Sequence, residues 1–122
     1  MEQKEFEKVV KDRTDACLSL LFSKNAAYNE EDDKLRNFKV AANLQNQSPA
    51  QALGGLWAKH ITSIYDMINS DDYYPMAVWD EKLNDSINYA LLLGAIIKDE
   101  HLKIVSQNDV VDRSRADFVD FA

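Results

Sequence analysis

Apolar residues recur at helical spacing along most of the chain. Phe6, Val9, Val10, Arg13, Cys17, Leu20 and Leu21 fall near one face of a helix predicted over residues 3–23, and Glu2, Glu5, Lys8, Lys11, Asp12 and Asp15 occupy the rest. The period is lost from Ser23 to Asp33, a polar, turn-prone stretch with Tyr28 as its one anchor, and this reads as an ordered loop. A short helix is predicted from Lys34 to Leu44 on the stripe Leu35, Phe38, Ala41 and Ala42, closed by Asn43 to Gln47. Ser48-Pro49-Ala50-Gln51 then combines an N-cap serine, a proline at the first helical position and a glutamine at the third. The helix it opens runs to about Ile68, with Leu53, Trp57, Ile61, Ile64 and Ile68 at spacings of four, four, three and four. Gly54-Gly55 costs that helix about 1 kcal/mol per glycine relative to alanine, which suits a close approach by another helix or a ligand.

After a turn from Asn69 to Pro75, the last long helix starts near Ala77 or Val78 and reaches about Leu102, with Leu83, Ile87, Ala90, Leu91, Gly94 and Ile97 as its inner face. Tyr89, Leu93 and Ile96 add a second apolar stripe beside Leu91 and Ile97. One small bundle has trouble covering both, so a homodimer is expected. The chain thus reads as an all-α, antiparallel helical bundle over residues 1–104 with a short extra helix, followed by a polar arm or short docking helix over 105–122. About two-thirds or more of the residues should be helical, against an ordinary share of about one-third.

Composition narrows this further. The 122 residues suit one domain, and three glycines with two prolines argue against a many-turned β-sandwich. A net charge of −7 argues against gripping a nucleic-acid backbone, yet leaves room for a local phosphate site or one bridged by a divalent cation. Cys17 is the single cysteine, so no intramolecular disulfide forms; it reads as a structural thiol, with neither histidine near it in sequence. The N-terminus has no apolar h-region, and the longest apolar stretch, Tyr89 to Ile97, is too short to span a bilayer. A reducing cytoplasm and no membrane partner are therefore expected.

Polar groups on half-apolar faces are the candidates for chemistry. Lys59, Ser63 and Asp66 share a face of the second long helix, and His60 lies at the edge of its apolar stripe, as a satisfied core histidine or a ligand. Glu81, Asp85 and Asn88 share a face of the last helix that continues into Leu92 and Ala95, so Asp85 should be at least half buried. The polar stretch supplies Glu30, Glu31, Asp32 and Asp33 with amides at Asn25 and Asn29, and carboxylates from two helices and a loop suit Mg²⁺ or Mn²⁺. The plainer alternatives are an Asp66–Lys59 pair, an Asp85 pair with Lys82 or Lys34, and a solvated acidic turn. Tyr73, Tyr74 and Trp79 read as packing at a helix start more readily than as a base-stacking platform.

Three stretches carry a family resemblance. Lys24-Asn25-x-x-Tyr28 with Glu31-Asp32-Asp33-x-Leu35-x-Asn37-Phe38, then Lys59-His60-x-x-Ser63-Ile64-x-Asp66, then Trp79-x-Glu81-Lys82-x-x-Asp85-x-x-Asn88-Tyr89 resemble, in that order, small proteins of phages and prophages of Gram-positive bacteria. They also resemble the nucleotide-modification-associated domain family, over about residues 24–97. A more distant similarity is to the all-α, MazG-type nucleoside triphosphate pyrophosphohydrolases, helical bundles that are usually dimers or tetramers. These hold Mg²⁺ with paired acids on two successive helices. Asp85 falls where the last acid of the second pair would be. Lys82 stands where its preceding acid belongs, with Glu81 one residue earlier, and the first pair is absent.

The resemblance implies a metal-binding acid at Asp85; with the helix-face reading it gives an expected metal set of Asp85, Glu81 and Asp66, and expected ligand contacts from Lys59, His60, Asn88, Lys24, Asn25, Tyr28, Asp33 and Asn37. It implies a nucleotide or nucleotide-derived ligand with Mg²⁺ or Mn²⁺. The chemistry would be phosphoanhydride hydrolysis, in which metal ions bridge the phosphates, a carboxylate orients water and Lys59 neutralises leaving-group charge. With too few acids the same pocket would bind and sequester a nucleotide signal. A third expectation is an acidic accessory protein that docks on a host protein as a mimic of nucleic acid.

Overall fold

The computed structural model describes residues 1–28 and 33–107, with the side chains of residues 24–28 left aside. It contains four helices: α1 (Gln3–Tyr28), α2 (Arg36–Gln45), α3 (Pro49–Asn69) and α4 (Met76–Gln107). Among the described residues 86% are helical and none is in a strand, so the protein is an all-α helical bundle. No helix among these residues is long and apolar enough to cross a membrane.

Two boundaries differ from the sequence reading. α1 continues through Ser23 to Tyr28 where an ordered loop was expected. Residues 23–28 hold no glycine or proline and include Ala26 and Ala27, so adding turns to an existing helix is easy even without an apolar stripe. α4 likewise runs unbroken past Leu102, through Ile104 and Val105 to Gln107. The remaining candidate-loop acids Glu30, Glu31 and Asp32, and residues 108–122 of the expected arm, lie outside the described residues.

The start of α3 follows its local sequence. Ser48 Oγ accepts a hydrogen bond from the Gln51 backbone N–H at 3.1 Å, and the Ser48 N–H donates to Gln51 Oε1 at 2.8 Å, closing a capping box ahead of Pro49. Just upstream, Asn46 takes a left-handed conformation with φ 56°, and the Gln47 N–H reaches back to the Ala42 carbonyl at 2.8 Å, ending α2.

The core sits where α2, α3 and α4 meet. Leu35, Leu53 and Ile96 form its centre, with Phe38, Ala50, Trp57, Tyr89, Leu92 and Leu93 against it. α3 packs on α4, α2 on α3, and the α1 backbone approaches α4 alone.

The inward registers of all three long helices depart from expectation. On α3 Leu53 and Met67 are buried and Trp57, His60 and Ile64 half-buried, whereas Ile61 and Ile68 are exposed. The true 3.6-residue line passes through His60 and Met67, which a search for aliphatic residues alone steps over. Gly54 and Gly55 face open space, with nothing among the described residues within 4 Å of where a Cβ would sit. On α4 the buried positions are Asn84, Asn88 and Ile96, while Leu91, Gly94 and Ile97 are exposed. Among the described side chains of α1 Cys17 alone is fully buried; Phe6, Val9 and Val10, expected on the inner face, remain exposed because no described element covers that half of the helix.

Candidate functional site

The α1–α4 interface is a polar seam. Arg13 extends across it, its Nη2 lying 2.9 Å from Asp80 Oδ1 and its Nη1 donating to Asn84 Oδ1 at 2.9 Å. The Cys17 thiol donates to the same Asn84 oxygen at 3.5 Å, and Asn88 Nδ2 donates to the Cys17 carbonyl at 3.1 Å. Asn84 and Asn88 are only 6% and 8% exposed, so these bonds offset the cost of burying two amides and fix one register between the helices. Burial pushes the Cys17 thiol above its ordinary pKa; Arg13 opposes this and the charge of Asp85 adds to it. That is the setting of a structural thiol rather than a nucleophile.

One turn along the seam a cleft of about 220 Å³ opens between α1, α2 and α4. Leu20, Leu21, Phe38 and Leu92 provide its apolar walls, and Asp85, Asn88 and Tyr89 its polar side. Asp85 is half-buried and has no hydrogen bond or ion pair among the described residues. Its charge reaches its neighbours: burial raises the Tyr89 phenol pKa, and Asp85 raises it further. Asn88 Oδ1 is buried without a partner among the described residues, where the amide nitrogen alone of that side chain is bonded. Behind Tyr89 lies His60, ring centroids 5.0 Å apart and tilted by 54°, with a buried Nδ1 that also has no partner among the described residues.

Asp85, Asn88 and, through Tyr89, His60 are thus brought together. Glu81, Asp66, Lys59 and Asn37 are exposed, and neither Asp66–Lys59 nor Asp85–Lys82 forms an ion pair. No three His, Cys, Asp or Glu side chains gather closely enough to hold a metal ion among the described residues. Lys24, Asn25 and Tyr28 stand in the last turns of α1, beyond Leu20 and Leu21 of the cleft wall; their side chains lie outside the described residues.

Asp33 is committed elsewhere. Its Oδ1 accepts the Leu35 N–H at 3.0 Å and its Oδ2 pairs with Lys39 Nζ at 2.7 Å, while Lys39 also reaches Asp99, tying the start of α2 to α4. The Lys39 hydrogen bond, then the Leu35 N–H, hold the Asp33 carboxyl below the usual carboxylate range. A depressed folded-state pKa stabilises the fold above the unfolded value of about 3.9, and that contribution disappears as pH falls through the folded value. Asp33→Asn should therefore lower the melting temperature at neutral pH, with the gap to wild type closing in strong acid. The effect should be about 1 kcal/mol or less, because the carboxylate side chain is 41% exposed. A gap that stays constant down to the acid limit in a pH series of thermal melts would remove Asp33 from this role.

Arg13 and Asn84 are the side chains that sequence reasoning missed. Their trace was present: an arginine within the apolar stripe of α1, and two asparagines four residues apart on the buried side of α4. Compared with known proteins, the chain matches no family model, no curated protein and no solved structure.

Proposed function

We propose that this chain binds a nucleotide or nucleotide-derived small molecule in the α1–α2–α4 cleft, with a divalent cation at Asp85, and that it binds rather than cleaves its ligand. The observation that carries this reading is the half-buried Asp85 carboxylate and the Asn88 oxygen, both without a partner among the described residues, side by side in a largely apolar cleft. An apolar pocket with a few convergent polar groups is the ordinary form of a ligand site. Phe38 and Tyr89 offer ring faces for a planar base. A bare carboxylate repels phosphate, so a phosphate-bearing ligand needs a cation between them. Mg²⁺ commonly takes one or two protein oxygens and completes its shell with phosphate and water, which Asp85 and Asn88 can satisfy. The resemblance to nucleotide-directed families points the same way. The MazG-like pattern lacks its first acid pair here and has Lys82 in place of one acid of the second, which favours sequestration over hydrolysis.

The test is a thermal-shift screen of nucleotides with and without Mg²⁺ or Mn²⁺, followed by product analysis of each hit. A shift that requires both nucleotide and metal, with the nucleotide recovered intact, is the expected result. Release of phosphate or pyrophosphate would convert the reading to a hydrolase, and no shift with any nucleotide would end it.

A second copy is the expected partner. Leu91 and Ile97 stay exposed on α4 around the open Gly94, and Phe6, Val9 and Val10 stay exposed on α1. Contiguous apolar stripes of this extent on a small chain mark an association surface. Light scattering should report a dimer at micromolar concentration, and Leu91→Glu should shift it to monomer with unchanged helicity by circular dichroism. A wild-type monomer at that concentration would refute the assembly.

A further inference from the structure

A second groove, of about 540 Å³, lies at the corner between α3 and α4, away from the Asp85 cleft. Met67, which is buried, and Trp79 line its inner part. Ile68, Tyr73 and Met76 stand around it well exposed, Tyr73 at 87%. Tyr74 is fixed edge-on to Trp79 with ring centroids 6.2 Å apart. The turn itself is braced: the Asp72 N–H donates to Ser70 Oγ at 3.0 Å, and the Ser70 N–H donates to the Met67 carbonyl at 3.3 Å. These exposed side chains therefore project from a defined turn.

The segment that builds this groove is acidic, and its next cation in sequence is Lys82, one helical turn past Trp79. From Ile61 to Glu81 there is no lysine or arginine, while Asp66, Asp71, Asp72, Asp80 and Glu81 are all present. Asp80 is neutralised by Arg13. Asp66, Asp71 and Asp72 are exposed and have no ion-pair partner among the described residues, and the last turn of α3 carries no basic residue to offset its negative end. Large apolar and aromatic side chains left in water beside uncompensated acids select an occupant that supplies both an apolar anchor and positive charge. Two tyrosines and a tryptophan add faces on which a guanidinium can stack.

We propose that the α3–α4 corner docks a cationic peptide segment of another protein, seating a bulky apolar residue against Met67 and Trp79 and placing Arg or Lys against Asp72, which lines the groove, and its neighbour Asp71. This site is independent of the ligand cleft and stands whether or not a nucleotide binds there. Electrostatic complementarity of this kind sets partner choice and on-rate, while the apolar anchor supplies most of the affinity.

The test is fluorescence anisotropy at physiological ionic strength with a labelled short peptide alternating arginine and leucine. Its glutamate-for-arginine and serine-for-leucine counterparts are the controls. The arginine–leucine peptide should bind, and each counterpart should bind about tenfold more weakly or worse. Tyr73→Ser and Asp72→Asn, both at exposed positions, should each weaken binding about fivefold with the melting temperature unchanged. Glu7→Gln, at an exposed acid on α1, should leave it unchanged. Failure to bind overturns the proposal. So does indifference to Tyr73→Ser and Asp72→Asn, an equal loss with Glu7→Gln that would reveal bulk attraction to an acidic protein, or loss of self-association in Tyr73→Ser, which would assign the corner to a second copy.

Discussion

Truncation of Leu53 to alanine should lower the unfolding free energy by about 3 kcal/mol or more, within the range of about 2–5 kcal/mol for fully buried leucines. Leu53 is 0% exposed and is the α3 member of the trio with Leu35 and Ile96 on which α2, α3 and α4 converge. Few other side chains are so completely enclosed, so the cavity opens at the one place where three helices hold each other. The half-buried ring of Phe38 and indole of Trp57 border it. The Trp57 indole N–H is tethered to Ser86 Oγ at 2.9 Å, which limits how far that side can collapse. Leu44→Ala on α2, at a residue 82% exposed, is the control and should change stability by about 0.5 kcal/mol or less. Urea denaturation of both variants decides the matter. A Leu53→Ala change below about 1 kcal/mol would show that the three-helix junction does not hold the fold together.

The helices themselves were legible because long apolar-periodic segments with few glycines or prolines admit little else. The capping box at Ser48 was readable to the atom, since Ser, Pro and Gln satisfy the free N–H groups of a helix start locally and need no tertiary partner. What each helix faces was less legible. Periodicity suggests Leu83, Ile87, Ala90, Leu91, Gly94 and Ile97 as the inner side of α4; Leu83 and Ile87 are half-buried and the other four exposed, while the fully buried positions are Asn84, Asn88 and Ile96. The reason lies on another helix: Arg13 and the Cys17 thiol bond the Asn84 oxygen, the Cys17 carbonyl accepts from the Asn88 nitrogen, and pairing across 67 to 71 residues leaves no local mark. On α3 the edge position read for His60 holds, since it is half-buried against Tyr89, whereas Ile61 and Ile68 of the expected stripe are exposed and Met67 is buried instead.

The candidate site divided along similar lines. Asp85 was expected to point inward because its same-face successors are apolar, and it does line a cleft. Glu81 shares its ridge but is exposed, because sequence spacing says which residues are neighbours on a helix and not how far the covering helix extends. Asp33 was grouped with ligands as one acid of an acidic run. Its actual partners, the Leu35 N–H two residues on and Lys39 six residues on, make it an anchor for the start of α2.

Replacing Asp85 by asparagine keeps the shape of the cleft and removes its charge, and the consequences separate a ligand site from a structural one. Asp85 has no cationic partner among the described residues, so no ion pair there is lost on substitution, and in metal-free buffer Asp85→Asn should leave the melting temperature unchanged or raise it slightly. The Tyr89 phenol should ionise at lower pH, because the charge that adds to its burial is gone; ultraviolet titration reads this directly and shows that the substitution has acted where intended. Nucleotide with Mg²⁺ should then lose its thermal shift, and affinity by calorimetry should fall about tenfold or more, or about 1.4 kcal/mol and above. Metal-free nucleotide binding, where any exists, should instead improve, because the carboxylate that repels phosphate has been removed. Were Asp85 a structural anchor, the same variant would melt earlier and bind as before. That combination would defeat the assignment of the cleft and leave the nucleotide-directed reading with the sequence resemblance alone.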